Sequence, residues 1–195
     1  MIKFHLILAV LWVIYCVFHS FLANAWVKKK VMGLFKMSNT AYRIFYNLFA
    51  LGTLGWLFYI HADTDSPEIF HSNMFTKIVA GIFIVGGLGI MLACIAKYFK
   101  QLSGLFKESS QSHLQTGGMH QWVRHPLYSG TFLFLIGLAL FWPLYSNALA
   151  VFILIAYTVG GTLLEEQKLL VEYGNEYRIY KRRVPMLFPR FSKSL

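Results

Sequence analysis

The chain reads as an all-α membrane bundle: five transmembrane helices, a short C-terminal helical hairpin within them, and a cytosolic amphipathic tail. Three observations predict this. Of 195 residues, 57% are hydrophobic and 13% are charged, against about 25% charged in a soluble domain. The apolar residues fall in blocks of roughly 20, the length that crosses a bilayer. The basic residues then alternate between connecting segments as the positive-inside rule requires.

The first span is read at residues 4–27. It is too long for the apolar core of a signal peptide and is followed by no clean small-x-small cleavage site, so it is expected as a retained helix. The second span is read at 42–61 and the third at 76–96, where Gly81, Gly86, Gly87 and Gly89 suggest close helix packing. The fourth, 126–142, opens on Pro126, which suits the first turn of a helix because its missing N–H is not needed there. The fifth is read at 148–164. Each of the last two measures roughly 25 Å, and residues 143–147 between them make a tight helical hairpin. The whole is one membrane domain, residues 1–195.

Segment 28–41 carries Lys28, Lys29, Lys30 and Lys36, whereas segment 62–75 has no Lys or Arg but has Asp63, Asp65 and Glu68. Segment 97–125 and the tail 165–195 are again basic. The expected orientation is therefore N-terminus out and C-terminus cytoplasmic, in an inner or plasma membrane. The net charge of +10 reports topology and lipid headgroups, and no nucleic-acid partner is expected because the polar surface is too small for one. Cys16 and Cys94 lie within apolar blocks at different depths and read as small core residues.

Polar residues with chemical potential collect in the two cytoplasmic segments. Residues 118–128 read GMHQWVRHPLY. Arg124 there either snorkels to water or offers a planar fork to a carboxylate. His125 either caps the next helix or titrates. Glu165 and Glu166 stand just past the fifth span. They either begin a second helix, at whose N-terminus carboxylates are favoured, or bind a cation or a ribose hydroxyl. Residues 165–180 carry Leu169, Leu170, Tyr173, Tyr177 and Tyr180 at three- and four-residue steps, an amphipathic surface helix bent at Gly174-Asn175. Residues 184–189 are non-helical and are expected to fold back over the site. His19 reads as an interhelical hydrogen-bonding residue, and His5, His61 and His71 as structural. No histidine or cysteine spacing matches a metal site, and no glycine-rich nucleotide loop follows a strand.

The run His113-Leu-Gln-Thr-Gly-Gly-Met-His120, then Val123-Arg-His-Pro-Leu-Tyr-Ser-Gly130, resembles the integral membrane methyltransferases that include isoprenylcysteine carboxyl methyltransferase and the phospholipid N-methyltransferases. The resemblance continues through Glu165-Glu166, Glu172–Tyr177, Val184-Pro185 and Pro189. In the first half, Phe18–Ala23 and Tyr42–Leu48 are similar to bacterial methanethiol S-methyltransferases and to the nitrite/nitric-oxide-associated membrane proteins that share their N-terminal pattern. The resemblance implies S-adenosylmethionine as methyl donor, held between residues 113–128 and 165–190. It implies that His113, Leu114, Gly118, His120, His125, Glu165 and Glu166 contact this cofactor, and that Arg124, His125 and Tyr128 line its junction with the methyl acceptor. His120 stands where the family usually has tyrosine.

The expected activity is therefore methyl transfer to a small or lipophilic acceptor: a thiol, a prenylcysteine carboxylate or a lipid amine, with membrane lipids as surroundings. Two alternatives stand beside it: a sterol-type membrane reductase using NADPH, and a non-catalytic accessory membrane protein.

Overall fold

A computed structural model of the chain describes residues 2–103 and 113–190, the side chains of 98–103 apart. The described residues form six α-helices: α1 (Ile2–Ala23), α2 (Ala25–Phe35), α3 (Asn39–Ala62), α4 (Met74–Ser103), α5 (Pro126–Phe141) and α6 (Tyr145–Arg183). A single 3-10 turn, Gly118–Gln121, precedes α5. The serine run expected as a loop at 109–112 lies outside the described residues.

Helices α1, α3, α4 and α6 are long and apolar enough to cross a membrane; α5 is apolar but has 16 residues, or about 24 Å. Their outer faces are what lipid demands: Val85 and Phe152 are 72% and 71% exposed, and in a bilayer such surface costs nothing. Five of the six helices correspond to the five expected spans.

The sixth, α2, corrects the reading of the first span. The sequence suggested one helix to Val27 followed by a basic loop. Instead α1 stops at Ala23, and the Asn24 side chain accepts a hydrogen bond from the Trp26 amide at 2.9 Å. That N-cap starts a second helix, satisfying an amide that would otherwise lack a partner. Lys36, in the left-handed conformation at φ 50°, ends α2, and the Ser38 hydroxyl caps α3 by accepting from the Ala41 amide at 3.1 Å. Capping polarity at Asn24 and Ser38 thus outweighs the continuous hydropathy that suggested a single span.

Hydrogen bonds fix which loops share an end of the bundle. At one end His5 Nε2 lies 3.0 Å from Ser66 Oγ, which also accepts from the Ser146 amide at 2.8 Å. The Ile69 amide donates to Pro143 O at 2.7 Å, and His61 bridges Trp12 Nε1 and Asn147 Oδ1. The start of α1, the 63–73 connection and the α5–α6 turn therefore meet there. Helix alternation places the α1–α2–α3 junction, residues 113–125 and the far half of α6 at the opposite end. Leu8, Trp12, Leu57 and Ala150 form the core shared by α1, α3 and α6.

The α4–α5 contact is closest. A Cβ on Gly87 would lie 2.5 Å from the Phe134 amide nitrogen and 2.6 Å from Gly130 O. Gly137 faces the Ile84 amide in the same way, at 2.8 Å. Of the four glycines read as packing residues, Gly87 alone has this role; nothing lies within 4 Å of a Cβ on Gly81, Gly86 or Gly89. Gly87→Val is therefore expected to abolish the monodisperse folded peak in detergent size-exclusion, since backbone cannot yield as a side chain does. Gly89→Val should elute and melt like the parent, within about 0.5 kcal/mol.

Candidate active site

Two local features of the sequence build the site. The first is Pro126, which fixes the start of α5 and leaves residues 123–125 outside any helix before it. Two amides there are open to another segment: Arg124 N donates to Pro185 O at 2.9 Å and His125 N to Met186 O at 3.1 Å. Ser129 Oγ adds a bond to Leu187 O at 2.6 Å. The non-helical stretch after α6 is thus strapped across the start of α5, as the Val-Pro-Met-Leu-Phe-Pro composition of 184–189 led us to expect.

The second feature is Gly174, at φ 52° and ψ −118°, a conformation open to glycine and strained for other residues. Glu166 and Lys181 are fifteen residues apart, about 22 Å along a straight helix. Yet Lys181 Nζ lies 2.7 Å from Glu166 Oε2. The helix must double back at Gly174, so that residues 175–183 face the segment around Glu165. The sequence reading ended one helix at Leu164 and began another at Glu165. In the structure the helix continues through both glutamates and turns nine residues later, at the residue without a side chain.

Glu166 is 3% exposed and gathers the surrounding charges. Arg124 Nε donates to its Oε1 at 2.6 Å and Nη2 lies 2.5 Å from the same oxygen. His125 Nε2 stands 3.3 Å from Oε1. Arg124 Nη1 then donates to Val184 O at 2.5 Å and Lys181 O at 3.2 Å. The guanidinium fork expected at this position exists, and its donors are committed to Glu166 and to the strap. A buried pair of this kind contributes through what its loss would expose: one partner removed leaves an uncompensated charge, at a cost of about 3–5 kcal/mol.

Against this scaffold lies a cavity of about 270 Å³. Leu114, Gln115 and His120 line it from the connecting segment, and Arg124, His125, Leu127 and Tyr128 from the start of α5. Glu165, Leu169 and Tyr173 come from α6 before its turn, Tyr177 and Tyr180 from after it, and Cys94 from α4. The Tyr180 hydroxyl is held by His120 O at 2.7 Å. The Tyr128 hydroxyl donates to Glu165 Oε2 at 3.2 Å, and the Tyr128 ring stacks on His125 at 5.7 Å between centroids.

The charge pattern follows. Glu166 offsets Arg124 and Lys181, while Glu165, whose side chain is 47% exposed, keeps its carboxylate toward the cavity. Burial lowers the His125 pKa below its ordinary value, and the Arg124 charge lowers it further against the opposing pull of Glu165 and Glu166. His120 is lowered too, first by burial and then by His125 and Lys97. Both rings are neutral at neutral pH. With Nε2 directed at Glu166, the His125 tautomer carries its proton there, and Nδ1 is a bare acceptor 4.0 Å from Glu165 Oε2. The cavity thus offers a carboxylate, an unprotonated ring nitrogen and aromatic faces, a setting for a cation and for a proton-bearing nucleophile.

The structure brings Leu114, His120, Arg124, His125, Tyr128 and Glu165 to one cavity. Glu166 sits behind its wall. His113 is exposed and does not line it, and Gly118, at φ 65°, opens the 3-10 turn without lining it. Sequence reasoning missed Cys94, Gln115 and Lys181. It read Leu169, Tyr173, Tyr177 and Tyr180 as the apolar face of a surface helix. For the part of α6 before its turn, the four-residue recurrence Glu165, Leu169, Tyr173 was the available signal, because it puts Tyr173 in line with the carboxylate.

Arg124→Lys is expected to loosen the strap, since lysine keeps the charge but cannot serve Glu166, Val184 and Lys181 together. Hydrogen exchange at the Arg124 and His125 amides should speed at least tenfold, and limited proteolysis should cut near residues 184–189 in the variant first. An unchanged exchange pattern would show that the guanidinium does not hold the strap.

Residues 74–176 match the family model described as phospholipid methyltransferase, and the chain belongs to that family. It is 32% identical over 154 residues to the methanethiol S-methyltransferase of Crocosphaera subtropica, covering 77% of this chain and 48% of the relative. It is 38% identical over 139 residues to methanethiol S-methyltransferase 2 of Bradyrhizobium diazoefficiens, covering 69% and 44%. It is also 30% identical over 117 residues to the nickel-cobalt-cadmium resistance protein NccN of Alcaligenes xylosoxydans xylosoxydans, covering 60% and 54%. The chain spans about half the length of these curated relatives. No solved structure matches it.

Proposed function

We propose that this phospholipid methyltransferase family member transfers the methyl group of S-adenosylmethionine to a small or lipophilic acceptor with an acidic proton, a thiol foremost. The observation that carries the reading is the Glu165–Tyr128–His125 cluster in a cavity whose only guanidinium among the described residues is spent on Glu166. When bound, S-adenosylmethionine supplies a methyl group on a positively charged sulfur, open to in-line displacement. The residues present fit it: Glu165 offsets a positive charge, and the faces of Tyr173 and Tyr177 favour a cation. Leu114, Gln115 and His120 provide an apolar contact and hydrogen-bonding groups for its remainder. Glu166 acts from behind the wall, and Gly118, at φ 65°, acts by opening the 3-10 turn that carries His120.

His125 Nδ1 takes the acceptor's proton, with Nε2–H kept on Glu166. Glu165 and Glu166 stabilise the resulting imidazolium. The cavity then works mainly by excluding water and holding two reactants at near-attack distance. A carboxylate acceptor would face Glu165, and the guanidinium of Arg124 in the cavity wall is already committed to Glu166. The names of the methanethiol S-methyltransferase relatives favour a small thiol. The site lies on the cytoplasmic side, with the N-terminus outside.

Purified protein in lipid discs is expected to move the labelled methyl group of S-adenosylmethionine to a short alkyl thiol, with little transfer to a prenylcysteine carboxylate or a lipid amine. No transfer to any of the three would overturn the assignment. Glu165→Gln should weaken donor binding about tenfold or more, the loss of a charge-assisted contact of roughly 1.5–3 kcal/mol.

The pH profile has a definite sign. Because the His125 pKa is lowered, the ring is a competent base at neutral pH. The rate should rise only in acid, through a midpoint below the ordinary histidine value, and be level from neutral pH upward. His125→Asn should remove that rise. A midpoint above neutrality would contradict the assigned role.

A further inference from the structure

A second cavity, of about 220 Å³, lies between α1 and α3 and is formed by residues 11–57. It is outside the family-matched region 74–176 and shares no residue with the methyl-transfer cavity. Its walls are apolar, with Phe49, Trp56 and Leu57 among them. At its centre is a polar pair, His19 of α1 and Tyr46 of α3, with the Tyr46 hydroxyl 3.0 Å from His19 Nε2 and 3.2 Å from Nδ1. A neighbouring pocket shares Tyr15, His19, Tyr46 and Ala50 with this cavity.

One phenol cannot satisfy both nitrogens of an imidazole. The hydroxyl could donate to the bare nitrogen or accept from the N–H, but these two directions diverge in the ring plane and one oxygen lies along only one of them. Tyr46 is the sole hydrogen-bond partner of His19 among the described residues. If the pair were only interhelical glue, apolar side chains would be expected to close around it. Here they leave open space beside it. The lining carries two further hydroxyls: Thr53 is turned onto Phe49 O and Ala50 O, and the Tyr15 ring lies 5.9 Å from the His19 ring. Tyr15, His19 and Tyr46 thus gather polar capacity in one part of a greasy groove, and polar groups within a span commonly mark a ligand path.

We infer that this groove is a second ligand site, taking a neutral membrane-soluble molecule with an apolar body and one hydroxyl or thiol head, held by His19 and Tyr46. The head group donates to and accepts from the pair at once, which a bare hydrocarbon cannot do. The site faces the bilayer at the same end of the bundle as the methyl-transfer cavity. Ser20, next to His19, hydrogen-bonds Tyr157 on α6 at 2.8 Å, which ties α1, one wall of the groove, to the helix that carries Glu165. The inference does not rest on methyl transfer, and its test reads binding alone.

The test is photolabelling of the full chain in phospholipid discs with a diazirine-bearing octanol, beside the matched diazirine-bearing octane. The octanol probe should label peptides from 11–22 and 46–57 about fivefold above the hydrocarbon, the size of one neutral hydrogen bond. Excess octanethiol should compete, and excess phospholipid should not. Tyr46→Phe and His19→Leu should bring labelling down to the hydrocarbon level while the protein still elutes as a folded species. Should both variants misfold, Ala50→Phe fills the groove without touching the pair and should also abolish labelling. Equal labelling by the two probes, displacement by phospholipid alone, or full labelling of the folded variants would overturn the site. A protein that labels as expected but transfers no methyl group would overturn the proposed reaction and leave this inference standing.

Discussion

The buried carboxylate of Glu166 is the constraint on which the site depends. It draws Arg124 from the start of α5 and Lys181 from beyond the turn of α6, and through Arg124 it fixes the carbonyls of Lys181 and Val184. Three stretches of chain separated by tens of residues are thereby held around one oxygen pair. The Arg124 and Glu166 charges are stable only in company, because burial leaves each unable to do without its partner. The adjacent glutamate is spared this duty and stays at the cavity wall. Two neighbouring residues of one type thus divide into a structural and a chemical role by the side of the helix each occupies.

Much of this was legible in the sequence. Hydropathy blocks located α3, α4, α5 and the apolar part of α6 because crossing a bilayer demands length and composition together. Pro126 and the bend near Gly174 were read correctly, since each acts through its own backbone. The resemblance in 113–190 placed the cluster of polar residues at one end. What was not legible depended on partners distant in the chain. Nothing near Arg124 says that its fork is consumed by Glu166, and nothing near Tyr177 or Tyr180 says that they face inward. Those facts follow from the reversal of α6, which turns a surface helix into a wall. The division of α1 and α2 at Asn24 was missed for the opposite reason: a single capping side chain made a local decision within a run of continuous hydropathy.

The two halves of the bundle hold polar groups by different rules. In the C-terminal half, charges are paired, and packing is so close that Gly87 and Gly130 bring two backbones together. The N-terminal half has neutral hydrogen bonds, His19 with Tyr46, Ser20 with Tyr157 and Tyr42 with Leu22 O. Neutral pairs suit membrane depth, where an ion is expensive and a phenol is tolerable. The family-matched half thus carries the charged chemistry, and the other half meets the lipid with groups that can exchange a hydrogen bond without carrying charge.

The reversal at Gly174 has a mechanical consequence. Residues 175–183 form a rigid arm about 13 Å long, pivoting on one pair of backbone angles. A 10° rotation there would carry the tip through about 2 Å, given that length. Tyr177, Tyr180 and Lys181 would swing as a unit, and the clasp of Lys181 on Glu166 would be broken together with the bonds of Arg124 to Lys181 O and of Tyr180 to His120 O. Cavity width and charge pairing are therefore geared to one another: the arm cannot open the space between its tyrosines and Glu165 without slackening the grip that closes it.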